Sequence, residues 1–447
     1  MSGNLLQIGQ SGAMAARAAL ELTGQNIANA GNADYARRSL ALADLTPTGT
    51  VAYTQGFTAG SGVRIDRVVR SDATILFAQA RQSGSDLTRA TAELAGLQEA
   101  ERSVEQAGVY PALVEFEAAL GALRSDPLSP SLRSAVIERG QVLADSVRVG
   151  DSGLAGAAER ATAEAQAGVA SLNRDAGELV RVNEALLRAR EGTSGHAALL
   201  DQRDALLGRM AQTAGIAVEY GQRGVVNVRL GDASGPFLVS GTTAPVPLSL
   251  QPQPDGTAAF TLGGAAVTIS SGALAGHGQA LTELRDARSA LDAVAVQLVT
   301  TVNGAQASGA TPAGVAGPPM FAGSSARDLA LVLRDPAGLA TAPAGAGAQS
   351  RSTANLDALR ATLANGGPTA AADALLSRLS QAVAGRTVTR EVLATVADSA
   401  RAALSRETAV DLDAEAADLL RFQQAFQASG RVIQAAAEIF DTILGIR

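Results

Sequence analysis

Leu412, Leu419, Phe426, Ile433 and Phe440 recur every seven residues, with Ala416 and Ala437 on the intermediate positions. That spacing of bulky apolar side chains fits a helix with one apolar seam laid against another helix. The start of the chain keeps the same period in Leu6, Ala13, Leu20 and Ile27, with the small residues Gly9, Ala16 and Thr23 between them. The pattern predicts one helix over about the first 28 residues and another at the far end. Two such stripes, one at each end, most simply pack on each other and on neighbouring copies of the chain. The candidate assembly residues are therefore Leu6, Ala13, Leu20, Ile27, Leu412, Leu419, Phe426, Ile433 and Phe440.

Shorter seams lie inward: Leu87, Ala90, Leu94, Leu97 and Val104; Val169, Leu172, Ala176, Leu179, Val182 and Leu186; Leu281, Leu284, Leu291, Ala295, Leu298 and Val302. They read as amphipathic helices of a bundle. Aromatics make up 3% of the 447 residues and Trp is absent, so close contact between Ala-rich helices must supply the packing. Between about 216 and 270 the period changes to two, through Ile216, Val218 and Tyr220, then Val226, Val228 and Leu230, with Gly-rich turns between. The expected fold is mainly α, elongated and multidomain. Residues 1–45 with 405–447 would form a coiled-coil-like terminal domain, 46–215 with 271–404 a helical shaft, and 216–270 a small β-rich outer insertion. The stretches 304–325 and 335–350, rich in Gly, Ala and Pro, read as loops or linkers.

All 36 basic residues are Arg, which excludes chemistry that needs a lysine amine, and the absence of Cys excludes thiolate catalysis, disulfides and cysteine metal sites. The chain has only His196 and His277, too few for a three-histidine zinc site. A formal net charge of −7 argues against a general nucleic-acid binder. The start MSGNLLQIGQ carries no cleavable secretory signal, and the apolar runs fall short of a membrane span, so no membrane insertion is expected.

His196 stands near Asp201 and Asp204, an incomplete set for a metal or a triad. A helix start capped by Ser194 with a local Arg203–Asp204 ion pair accounts for it more simply, and His277 is placed in a loop before a helix. Arg37 and Arg38 read as solvated charges. No catalytic, cofactor or metal residue is assigned.

The segment Asn26-Ile27-Ala28-Asn29-Ala30-Gly31-Asn32-Ala33-Asp34-Tyr35-Ala36-Arg37 resembles the N-terminal signature of the flagellar rod, hook and hook-associated proteins, with Asn32-Ala33-Asp34 in place of the usual Thr-Pro-Gly type of turn. Its Asn residues and Gly31 suit a left-handed helix exit, after which Tyr35 and Arg37 could re-anchor the chain. The run from Asp411 to Leu444, with Phe422–Ser429 at its centre, is similar to the terminal helix of that family. Asp201, Gln202, Arg203 and Asp204 lie in a Leu-Asp-Gln-Arg-Asp segment that resembles hook-associated members at the hook–filament junction. The resemblance implies a non-enzymatic structural component of the flagellum that polymerises through its terminal helices. Its implied partners are other copies, the hook protein, a second junction protein on the filament side, an export chaperone and the type III export apparatus. It implies an extracellular location. The rival readings are another rod or hook axial protein, or a secreted enzyme on a helical stalk.

Overall fold

The computed structural model describes residues 2–44 and 62–445. Residues 1, 45 and 446–447 of the expected terminal domain and 46–61 of the expected shaft lie outside the described residues. The chain begins with α1 (Ser2–Asn29), the antiparallel pair β1 (Arg38–Asp44) and β2 (Val63–Arg70), then α2 (Thr74–Ala107) and α3 (Val109–Leu123). Next come α4 (Pro130–Arg188), which starts on a proline whose missing N–H costs nothing there, and α5 (Ser194–Thr213). Strands β3 (Ile216–Tyr220), β4 (Val226–Leu230), β5 (Phe237–Val239), β6 (Leu248–Pro252), β7 (Ala258–Leu262) and β8 (Ala265–Val267) follow. The chain continues with α6 (Gly272–Ser308), α7 (Ala354–Ala364), α8 (Pro368–Thr408) and α9 (Leu412–Gly445). The fold is mainly α, and both predicted terminal helices are present as single elements.

Two compact units divide the chain, one of Met1–Gly84, Leu172–Pro247 and Thr395–Arg447, the other of Ser85–Ser171 and Leu248–Ala394. In the first unit α1 and α9 pack antiparallel: Gly9 lies against Ile433, Gly12 against Ser429, and Asn26 bonds Glu415. A Cβ on Gly9 would sit 2.7 Å from Ile433 Cγ1 and 3.3 Å from its backbone nitrogen, so this crossing depends on glycine. The buried residues of α1 are mostly small, Ala15, Ala16, Ala19 and Thr23, joined by Leu22. Many large side chains of the two stripes therefore remain outward: Leu6, Leu412, Phe426 and Phe440 are exposed. Ala13, Leu20, Ile27, Leu419 and Ile433 are half-buried.

The α1 exit differs from the expected left-handed glycine. Gly31 takes no positive φ, and successive turns carry the chain to Tyr35, with the Asn32 carboxamide accepting from the Asp34 N–H. Asn32 thus turns the chain through its side chain, as Asn does in many turns.

In the second unit α2 ends at Gly108, whose φ of 67° breaks the helix and lets α3 start in a new direction. The core joins α2, α3, α4, α6 and α7 around Phe116, Leu143, Leu154, Leu291 and Leu298, with Phe116 and Phe321 edge to face at 5.9 Å. Apart from half-buried Leu87, the inner seam residues are buried.

The β-rich stretch 216–270 is two three-stranded antiparallel sheets, β3-β4-β5 and β6-β7-β8, and the unit boundary falls between them. The cause is Ser240–Pro247, whose Gly and two Pro residues interrupt the alternation. Residues 304–308 complete α6, and the stretches 309–325 and 335–350 are turns and two-residue strand pairs, not loose linkers. Asn303 holds the first of them by donating to the Phe321 carbonyl at 2.7 Å and accepting from the N–H groups of Met320 and Phe321. Asn355 donates to the carbonyls of Ala305 and Ala340, and Gln306 accepts from the Ala340 N–H. Met320 and Phe321 lie in the core.

Candidate functional site: a guanidinium–carboxylate clamp

The α1 exit leads straight into β1, which sets Tyr35, Arg37 and Arg38 beside the start of α9 and the first turns of α5. Asn26, fully enclosed on the last turns of α1, organises the corner. Its carboxamide nitrogen donates to the Arg38 carbonyl at 2.8 Å and to Glu415 at 3.1 Å. Its oxygen accepts from the Tyr35 hydroxyl at 2.8 Å and the Arg38 N–H at 3.2 Å. Burial, followed by the nearby carboxylates of Asp201 and Glu415, pushes the Tyr35 hydroxyl above its usual pKa against the lowering pull of Arg38.

Arg38 donates to Asp201 at 2.6 Å and stacks over the Tyr35 ring at 4.6 Å. Arg70, at the end of β2, bridges Asp201 at 2.7 Å and Asp204 at 2.8 Å. Arg203 closes the row on Asp204 at 2.8 Å and donates to the Gly224 carbonyl. Arg37 reaches α9, pairing with Glu415 at 2.7 Å and Asp418 at 3.5 Å, while its N–H bonds the Thr408 carbonyl. Four guanidiniums thus face four carboxylates. Ion pairs this enclosed are strong only when their polar atoms are paired, and the planar arginine forks supply paired donors where an ammonium would not, with the Arg38 Nε alone among the clamp's atoms left buried without a hydrogen-bond partner.

The structure therefore joins two motifs that the sequence kept apart. Asn26, Tyr35 and Arg37 from the first meet Asp201, Arg203 and Asp204 from the second. Two motif residues stay outside: Asn29 donates to Gln25 on its own helix, and Gln202 to Glu178. Arg38 is buried and paired, contrary to its reading as a solvated charge, because β1 turns it under the α1 exit. Arg70 and Glu415 were not singled out. Glu415 had a signal, a carboxylate three residues after Leu412 and beside Ala416 on the apolar side of the stripe. Asn183 was also missed; it is fully buried on α4 and holds the Val226 and Gly241 carbonyls of the first sheet and its following turn.

Around His196 all four oxygens of Asp201 and Asp204 already accept from arginines. The α5 cap is Thr193 in place of Ser194, accepting from the His196 N–H, and His196 Nε2 lies 3.1 Å from the Arg223 carbonyl. His277 lies within α6, where burial lowers its pKa against the opposing pull of Glu164, 3.6 Å away. Among the described residues no three His, Asp or Glu side chains converge as metal ligands, and no helix is long and apolar enough to cross a membrane. The clamp is a fastening: it ties the α1 exit, the β1–β2 pair, α5 and the α9 start together, with its charges spent on one another.

Chain ends paired as helices and pinned by such a fastening define a helix-paired architecture. The profile of the flagellar hook-associated protein FlgK helical domain matches residues 95–321, and that of the flagellar basal body rod FlgEFG protein C-terminal region matches 406–446. This chain belongs to the FlgK helical-domain family of flagellar hook-associated proteins. Flagellar hook-associated protein 1 of Escherichia coli K12 is 26% identical over 245 residues, covering 54% of this chain and 44% of the relative. The protein of the same name from Salmonella typhimurium LT2 is 27% identical over 248 residues, covering 54% of this chain and 43% of the relative. The matched part is thus less than half the length of each relative. The flagellar hook junction protein FlgK from Burkholderia pseudomallei superimposes with a TM-score of 0.49 at 20% identity, over 55% of this chain and 46% of that one.

Proposed function

We propose that this chain is a structural subunit of the bacterial flagellum at the hook–filament junction, polymerising through its terminal helices. The observation that carries this reading is the α1–α9 pair, which joins the two chain ends yet leaves Leu6, Leu412, Phe426 and Phe440 exposed. Covering each such side chain against a neighbour is worth roughly 1.5–3 kcal/mol when burial is complete, so the pair has a strong reason to assemble. The family match and the hook-associated relatives support the same role. Residues 1–45 with 405–447 act as the assembly domain, with Leu20, Ile27, Leu419 and Ile433 half-covered inside it and the exposed four meeting neighbours.

The neighbours in this reading are other copies, the hook protein and the second junction protein on the filament side. The chain reaches its extracellular site through the type III apparatus with an export chaperone, and a sequence without Cys has no disulfide to open on the way. Immunogold electron microscopy of flagella tests the reading: label should sit at the hook–filament boundary. Label along the rod or hook, or none on the flagellum, would overturn it. Deleting residues 411–447 should leave a folded second unit and no filament joined to the hook.

A further inference from the structure

A cavity of about 690 Å³ opens at the base of the helix pair, lined by residues 29–36 of the α1 exit, 408–410 before α9, and parts of α2, α5 and α8. Its volume falls in the range of pockets that enclose a ligand of drug size. Tyr35, Phe77 and Leu404 give it apolar walls, while Arg81, Arg209 and Arg401 stand around it with Asp34. Asp204 also lines it, but its oxygens are taken by Arg70 and Arg203. Among the described residues Arg209 and Arg401, both more than half exposed, hold long pairs, with half-buried Asp175 at 3.4 Å and with exposed Asp398 at 3.6 Å. Arg81 donates through one terminal nitrogen to the Tyr220 hydroxyl at 3.3 Å and has the other buried without a hydrogen-bond partner. A Cβ added to Gly208, on the α5 wall, would meet nothing within 4 Å.

The other end of the same helix pair has the opposite character. Glu438-Ile439-Phe440-Asp441 is exposed throughout, with Ile439 at 44% and Phe440 at 53%. The two carboxylates stand toward the negative end of the α9 dipole, whose last turn holds no basic residue. From Leu412 beside the cavity to Phe440 the helix advances about 40 Å, so the knob cannot reach the cavity of its own chain.

We propose that Glu438–Asp441 of one copy docks in the Arg81, Arg209 and Arg401 cavity of a second copy, Phe440 entering the apolar floor and the carboxylates meeting the arginines. The proposal rests on the assembly role above and makes the contact heterologous, the end of one helix pair seated on the base of the next. It gives close partners to the Arg209 and Arg401 guanidiniums and to carboxylates that otherwise oppose their helix dipole.

The test places a photoreactive benzoyl-phenylalanine at Phe440 in the full chain, expressed as a mixture of light and nitrogen-15-labelled copies, and maps adducts in isolated flagella by mass spectrometry. Mixed-isotope adducts to residues 29–36, 77–84, 204–212 or 401–410 are expected. Gly208→Leu, which plugs the cavity on a helical backbone that accepts a side chain, should abolish them while the chain stays folded. The double change Glu438→Arg with Asp441→Arg should abolish incorporation, and Arg209→Glu with Arg401→Glu should restore it. Adducts elsewhere on this chain or on another axial protein, or a chain present in flagella without adducts, would overturn the proposal. A chain absent from the flagella even without substitution would instead overturn the assembly role.

Discussion

Replacing Asp201 by Asn keeps the shape of the side chain and removes its charge from the centre of the clamp. Asp201 is 11% exposed and accepts from Arg38, 7% exposed, and from Arg70, 9% exposed. Leaving a buried charge without its partner costs about 3–5 kcal/mol. Arg70 keeps Asp204 and Arg38 keeps the Ser194 carbonyl and the Tyr35 face, so the lower end, about 3 kcal/mol, is expected. With a urea slope of about 2 kcal/mol/M this lowers the unfolding midpoint of the first unit by about 1.5 M. Urea titration by far-ultraviolet circular dichroism measures it, since the chain has no Trp. Adding Arg38→Met removes the stranded cation, and the double variant should recover about 1–3 kcal/mol relative to the sum of the single changes. A loss below about 1 kcal/mol for Asp201→Asn, or strict additivity, would refute the clamp as a buried coupled network.

Asn303→Ala leaves two enclosed N–H groups and one carbonyl of the 309–325 stretch without partners, at about 1–3 kcal/mol for each one left unsatisfied. Limited proteolysis should then cut within 309–325 faster than in the parent, and an unchanged digest would count against the pinning role. For His277 burial lowers the folded pKa below the usual 6.5, so its contribution to stability is complete above that pH and is lost as pH falls through the lowered value. His277→Gln should flatten the decline in stability of the second unit below pH 6.5; an identical decline in parent and variant would sink that assignment.

The helices were legible because each repeats one pattern over many turns: five residues from Leu412 to Phe440 state a period that no loop imitates. The two sheets were legible as strands for the same reason, but not as two, since which strand pairs with which is decided across the Pro-containing gap between Val239 and Leu248. Individual polar partners were the least legible. Arg38 and Asp201 are 163 residues apart, and nothing near either one states that a turn at Asn32 will bring them within 2.6 Å. The Asn303 contacts escaped because a single carboxamide holding an irregular stretch leaves no periodic trace. What resemblance to a family supplied was the pair of motifs, and what the folded chain supplied was their meeting.

The pairing of α1 with α9 also has a consequence in time. Roughly 380 residues separate the end of α1 from the start of α9, and at about 5–20 residues per second a ribosome needs about 20–80 s to cross that interval. Throughout it the sticky stripe of α1 waits without the helix it is meant to meet, among the most non-local contacts the chain makes. Any helper that shields the nascent chain therefore has its longest task at the first helix, although the last helix is the one whose arrival ends it.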